Sequence, residues 1–214
     1  MKYFPINMDI AEKKVLIVGG GQVASRKAKS LLACGAIVTI VSPEFCTPLT
    51  RMKKVNRICR KYRKSDLKNA SIVICATDSK NVNCKVSEHA KEKGIPINVV
   101  DQPDLCTFTV PSTVSRGELL ITISTGGGSP ALSRRIREKM EKEITDIHAK
   151  HLSLLKKIRP KVQSSGLSEK ERMRLLKKMA SDKIQNRLKN KGLLSAKTAM
   201  QEMLTEATRN IKML

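Results

Sequence analysis

Aromatic side chains are scarce, 2% of 214 residues with no tryptophan. Together with the lack of any RNP-type or zinc-finger motif, this counts against nucleic-acid recognition by base stacking. Acids are few as well. Nineteen Asp and Glu stand against forty-two Lys and Arg, a formal net charge of +23. Such a balance attracts polyanions: nucleic acid, an anionic membrane surface, or a small substrate with many carboxylates. No apolar run approaches the length of a membrane span, and Met1 to Pro5 lacks the long apolar core of a signal peptide. A cytoplasmic chain without a membrane partner is therefore expected. No two of the six cysteines (Cys34, Cys46, Cys59, Cys75, Cys84, Cys106) form a CxxC pair. They read as reduced thiols, neither a disulfide framework nor a zinc site.

What is present centres on KKVLIVGGGQVASRKAK, Lys13 to Lys29. Val15 to Val18 is a short β-branched-rich apolar run, as expected of a strand buried on both faces. It enters Gly19-Gly20-Gly21, after which Val23, Ala24, Ala28, Leu31 and Leu32 recur at helical spacing. Strand, glycine turn and helix form the context of a dinucleotide-binding fingerprint. Gly19 allows the tight turn, Gly21 lets the backbone approach a pyrophosphate, and Ala24 permits close helix–strand packing. The helix start at Gln22 and Val23 presents free N–H groups to phosphate.

Gly35 ends that helix, and Ala36 to Val41 forms the second strand. Ser42-Pro43-Glu44 follows, where an NAD site usually presents an acid to the ribose hydroxyls. Ser42 stands directly after the strand and Glu44 is the only nearby acid, so binding is expected to rely on the backbone of this turn; NAD is retained over NADP. Val55 to Tyr62 reads as a third strand and Ser71 to Ala76 as a fourth, ending in Thr77-Asp78. A helix from Ser79 to Lys93 and a fifth strand, Ile95 to Val100, complete the alternation. Tyr3 to Asn7 reads as a short edge strand. The pattern implies an α/β fold, a Rossmann-type doubly wound parallel sheet. Its ligand crevice lies at the carboxyl ends of the strands, where Gly19 to Val23, Ser42 to Glu44, Thr77-Asp78 and Asp101 all fall.

Beyond Asp101 the alternation stops. Thr107 to Pro111 and Leu119 to Thr125 read as two strands about a turn at Ser115-Arg116-Gly117. Ser129-Pro130 starts a helix expected to run unbroken to Arg159-Pro160. Ser164-Ser165-Gly166 is a linker, and Ser168 to Glu171 has capping-box form before another helix. Ser195 opens the last one, with Ala199, Met203, Ala207 and Ile211 at four-residue spacing. Three regions are expected: residues 1–112, an NAD-binding Rossmann domain; 113–150, a small α+β dimerisation region; and 151–214, a basic helical carboxy-terminal tail.

Three segments, VLIVGGGQVASRKAKSLLACGA, INVVDQPDLCTFTVPS and ITISTGGGSPALSRRIREKM, together resemble the precorrin-2 dehydrogenase family, the siroheme synthase amino-terminal module. The resemblance covers roughly residues 1 to 150 and is weaker after His151. It implies NAD-dependent oxidation of precorrin-2 to sirohydrochlorin, an intertwined homodimer and, in some members, insertion of Fe²⁺ into the product. The substrate it implies is a tetrapyrrole bearing eight carboxylates, which gives the positive charge a partner without nucleic acid.

The resemblance marks Asp101 as the catalytic aspartate. A carboxylate beside the nicotinamide could accept the proton that leaves with the hydride, while an Asp before Gln-Pro is also ordinary turn chemistry. Arg116, Arg134, Arg135 and Arg137 are candidates for bidentate carboxylate contacts, or simply solvated cations. Thr125 lies in a loop that either touches substrate or only turns the chain. His148 and His151 share a helix face, but without further ligands in register no metal is expected. A nucleotide-sensing Rossmann module without catalysis is the alternative reading.

Overall fold

The structure is a computed structural model, and it describes residues 3–209. The chain divides into two compact units, Met1–Val110 and Pro111–Leu214.

The first unit is built on five parallel strands: β1 (Lys14–Val18), β2 (Ile37–Ser42), β3 (Val55–Cys59), β4 (Ile72–Cys75) and β5 (Ile97–Val99). Their order is β3-β2-β1-β4-β5. The Rossmann-like sheet expected from the alternation is therefore present. Helices α1 (Gln22–Ala33), α2 (Thr47–Thr50) and α3 (Lys80–Glu92) cover it. The continuous apolar runs follow from burial on both faces. In β1, Val15 and Ile17 pack with Ala24 and Ala28 of α1, while Leu16 and Val18 pack with Val86 and Ala90 of α3. Gly35 and Gly94 take positive φ just past α1 and α3, where a left-handed residue ends a helix.

Two strand expectations in this unit are corrected. Residues 3–10 form no strand. Neither do Thr107 to Pro111; Thr107, with Cys106 before it, serves the outer edge of β5 instead. Thr107 donates its N–H to the Ile97 carbonyl at 2.8 Å, and its Oγ1 accepts from Ile97 N at 2.8 Å. The Cys106 sulfur accepts from Val99 N at 3.1 Å. A side-chain hydroxyl and a thiol thus satisfy an edge that a sixth strand would otherwise cover.

The second unit opens with an antiparallel hairpin, β6 (Ser112–Arg116) and β7 (Leu119–Ile123), displaced towards the turn from the expected first strand. Four helices follow: α4 (Pro130–Glu143), α5 (Asp146–Gln163), α6 (Glu169–Met179) and α7 (Asp182–Arg209). The long helix expected from Ser129 is two helices. Ile144 and Thr145 are extended, and Thr145 caps α5 through a reciprocal box with His148. Pro160 lies inside α5 rather than ending it. Ser168 and Glu171 form the expected box at the start of α6, with Ser168 N donating to Glu171 Oε2 at 2.9 Å. The span α7 is two helices joined at Gly192, φ 80° and ψ 178°, a backbone only glycine takes readily, so the last helix starts just ahead of Ser195 rather than at it. Leu154, Ile158, Val162, Leu175, Met179, Leu188 and Met200 join the helices in one core. Ala199, Met203 and Ala207 face it as expected, and Ile211 lies outside the described residues. Among the described residues no helix is long and apolar enough to cross a membrane.

Candidate functional site

Because all five strands of the first unit run the same way, their carboxyl ends share one sheet edge. β1 leaves into Gly19-Gly20-Gly21. Gly19 has φ 120°, and a Cβ there would strike the Ala76 carbonyl after β4. A Cβ on Gly20 would strike the Glu44 carbonyl after β2 and lie 2.7 Å from Ser42 Oγ. The Gly20 carbonyl also accepts from Cys46 N at 2.8 Å. The first two glycines thus wedge the loop between its neighbours. Gly20 has a steric role beyond the motif's first and third glycines, signalled in sequence only by the run of three.

Gly21 differs. Nothing lies within 4 Å of where its Cβ would stand. It is the N-cap of α1, no side chain caps the helix, and no acid occupies the first turn. Gln22 and Val23 begin a helix whose leading amides and dipole are left for an external anion. Ala24, fully buried, permits the close approach of α1 to the sheet. A dinucleotide pyrophosphate fits this open cradle.

At the end of β2, Ser42 is buried against Gly20, while Pro43 and Glu44 are exposed. The neighbouring strand holds the turn, with the Cys59 thiol donating to the Pro43 carbonyl at 3.0 Å. At the end of β4, Thr77 Oγ1 donates to Asn83 Oδ1 at 2.6 Å, and Asn83 Nδ2 donates back to the Thr77 carbonyl at 3.1 Å. Ser79 caps α3 by accepting from Val82 N at 3.4 Å. Asp78, between these anchors, is exposed. Asn83, 1% exposed, was missed by the sequence reading. A lone asparagine on the buried face of α3 was its only signal. Burial pushes the adjacent Cys75 thiol up to about 12, so it stays protonated and is no nucleophile.

Asp101 follows β5. It is exposed and takes φ 59°, a left-handed conformation that Asp tolerates better than most residues. The backbone before it is held by Val100 N donating to the Cys75 carbonyl at 2.9 Å. Asp101 also acts electrostatically on Lys27 of α1. Burial, with Arg26 beside it, pushes the Lys27 ammonium down, and Asp101 opposes that shift. The structure therefore brings Gly19, Gly21, Gln22, Val23, Ser42, Pro43, Glu44, Thr77, Asp78 and Asp101 to one edge.

The remaining candidates belong to the second unit. Arg116 donates to the Ser115 carbonyl at 2.9 Å and to the Glu141 carbonyl at 3.2 Å, which ties the hairpin to α4. Thr125 Oγ1 donates to the Ser129 carbonyl at 3.1 Å and accepts from Ser129 N at 3.2 Å. Its hydroxyl closes the glycine turn, in which Gly126 and Gly127 take positive φ. Arg134 pairs with Glu138 at 2.9 Å, whose carboxyl it holds below the usual range, and Arg137 pairs with Glu141. Arg135 is exposed and makes no ion pair among the described residues. The two histidines part ways: His151 is buried with Nε2 donating to the Met179 carbonyl at 2.8 Å, while His148 Nδ1 accepts from Thr145 N at 3.1 Å.

A family model described as “Putative NAD(P)-binding” matches residues 6–112, and one described as “Sirohaem biosynthesis protein central” matches residues 116–143. A siroheme synthase of Ruthia magnifica is 34% identical over 212 residues, 98% of this chain and 45% of that protein. A siroheme synthase of Nitrosomonas eutropha is 43% identical over 145 residues, 66% of this chain and 30% of that protein. The chain thus spans less than half the length of these relatives. A solved structure described as SirC, precorrin-2 dehydrogenase, superposes with a TM-score of 0.77 at 25% identity, covering 97% of this chain and 100% of that one. A family model over half the sequence, the second model following in order and the shared fold carry one conclusion: the chain belongs to the family of precorrin-2 dehydrogenases and siroheme synthase amino-terminal modules.

Proposed function

We propose that the chain catalyses NAD-dependent oxidation of precorrin-2 to sirohydrochlorin. The observation that carries this reading is one sheet edge that joins an open, uncapped helix start at Gly21 to an exposed carboxylate at Asp101. In this reading the α1 amides from Gln22 onward hold the pyrophosphate. The Ser42-Pro43-Glu44 turn receives the adenosine ribose, and the Thr77-Asp78 turn borders the dinucleotide further along the edge. When bound, NAD⁺ supplies a hydride acceptor. Asp101 takes the proton that the macrocycle loses with the hydride, so two electrons and two hydrogens leave the substrate together.

Arg116, Thr125, Arg134 and Arg135 are assigned to the substrate's carboxylates, with Arg135 the cation freest to do so. The domain division proposed is 1–112 for dinucleotide binding, 113–150 for dimerisation and 151–214 for the basic helical tail. The working form is a cytoplasmic homodimer. Exposed Leu120 on β7, and Leu132 and Ile136 on α4, support the dimer, because they leave apolar surface for a second copy on the dimerisation region.

The test is anaerobic turnover of precorrin-2 with NAD⁺, followed by absorbance and repeated with Fe²⁺. A sirohydrochlorin spectrum that needs NAD⁺ supports the dehydrogenase. A further change to siroheme, faster than without protein, adds iron insertion. NAD⁺ binding without oxidation turns the reading to a nucleotide-sensing module.

A further inference from the structure

The cationic edge of the first unit is not used by the reaction proposed above. Between Arg51 and Lys68 the chain carries nine Lys and Arg against a single acid, Asp66. This stretch includes β3, the outermost strand of the sheet, which lies beside the turn assigned to the adenosine ribose. Ser42 pairs in register with Cys59, and the Cys59 thiol donates to the Pro43 carbonyl at 3.0 Å. The residues after Cys59 therefore leave the sheet next to Ser42-Pro43-Glu44.

Four cations follow: Arg60, Lys61, Arg63 and Lys64. Two are matched. Arg60 grips Asp66 with both terminal nitrogens, at 2.9 and 2.6 Å, and Lys64 pairs with Glu92. Arg60 also donates to the Lys61 carbonyl at 3.0 Å, which fixes the backbone of Lys61 two residues beyond Cys59. Lys61 and Arg63 are exposed and make no ion pair among the described residues, and Lys61 is the nearer of the two to Cys59 in the chain. Meanwhile Ser42 stands where an acid would bond the ribose hydroxyls and repel a phosphate on the 2′ oxygen. The one acid near it, Glu44, is exposed two residues beyond the strand and anchored by its backbone against Gly20.

We propose that Lys61, held by Arg60 beside the Ser42-Pro43-Glu44 turn, forms a 2′-phosphate subsite, so that the chain binds a 2′-phosphorylated nicotinamide dinucleotide as well as NAD⁺. A lysine ammonium on a flexible stem suits a phosphate with no fixed fork geometry to match. The surrounding positive potential favours the extra negative charge of the 2′-phosphate, and Glu44 opposes it. The inference rests on the dinucleotide reading of the glycine loop.

Isothermal titration of the full chain with NAD⁺ and with NADP⁺ tests it without any turnover. The two dissociation constants are expected to lie within about tenfold of each other. Lys61→Ala is expected to weaken NADP⁺ roughly tenfold while leaving NAD⁺ unchanged, Lys61→Arg to retain NADP⁺, and Glu44→Gln to tighten NADP⁺. Added salt should weaken NADP⁺ more than NAD⁺. NAD⁺ binding with NADP⁺ about a hundredfold weaker overturns the subsite alone. So does a Lys61→Ala chain that loses both ligands equally or neither. Failure to bind either dinucleotide overturns the subsite and the dinucleotide reading together.

Discussion

Thr77 and Asn83 hold each other by two hydrogen bonds, Oγ1 to Oδ1 at 2.6 Å and Nδ2 to carbonyl at 3.1 Å. The pair fastens the turn after β4 to the first turn of α3. Asn83 Oδ1 also receives the Cys75 thiol at 3.1 Å. One buried amide therefore sets the path of the chain where it borders the nucleotide site.

Replacing Asn83 by Leu removes these partners and leaves the Thr77 carbonyl and the Cys75 thiol in a dry setting. We expect a stability loss of about 1–3 kcal/mol, read from chemical denaturation. A weaker affinity for NAD⁺ should accompany it, because the Thr77-Asp78 turn loses its tether. An unchanged unfolding midpoint would remove this role.

Gly19 and Gly21 separate stability from binding. Gly19→Ala places a methyl against the Ala76 carbonyl at a positive φ, so the variant should melt earlier and bind NAD⁺ poorly. Gly21 has φ −84°, ordinary for alanine, and open space beside it. Gly21→Ala should melt close to the parent yet lose about tenfold or more in NAD⁺ affinity, since the methyl intrudes where the pyrophosphate approaches. Calorimetric melting and titration on both variants check the contrast.

Asp101→Asn keeps a residue tolerant of the left-handed backbone and removes the proton acceptor. The turnover number should fall by about 10²- to 10⁴-fold, with the KM for NAD⁺ little changed. Steady-state kinetics decide this. A variant as fast as the parent ends the catalytic assignment.

Arg60 beside Asp66 holds that carboxyl below its usual range, through the hydrogen bond first and with help from the Arg63 backbone N–H. A depressed folded-state pKa contributes stability that is whole above the unfolded value of about 3.9. That contribution is lost as pH falls through the folded value. Between neutral pH and about pH 5 the pair should add no pH dependence. Below about pH 4 the parent should lose stability more steeply than Asp66→Asn. Urea unfolding across acid pH gives the comparison, and parallel curves would contradict it.

The parallel sheet was legible because its determinants are local. The runs at Val15–Val18 and Ile72–Cys75 are apolar and buried on both faces, and glycines stand where a left-handed residue must end α1 and α3. The glycine loop showed itself by its setting between strand and helix. The second unit was harder to read. Thr107 to Pro111 has strand composition, yet the edge of β5 is satisfied by the side chains of Thr107 and of Cys106 before it. The pattern from Ala131 to Ile158 is helical throughout, yet two extended residues at Ile144-Thr145 divide it. Asn83 and Gly20 had only faint signals, a lone buried-face asparagine and a run of three glycines, since their partners, Thr77 and the Glu44 carbonyl, are six and more residues away.

By itself, then, the sequence determined which segments pair into a wound sheet and where a phosphate-accepting helix begins, because period, glycine and capping act within a few residues. Tertiary structure alone decided what closes the edge of β5, which glycine touches which carbonyl, and which cations on the β3 side are left without an acid. Those outcomes depend on contacts between segments far apart in the chain, where packing and charge pairing, rather than local propensity, select the partner.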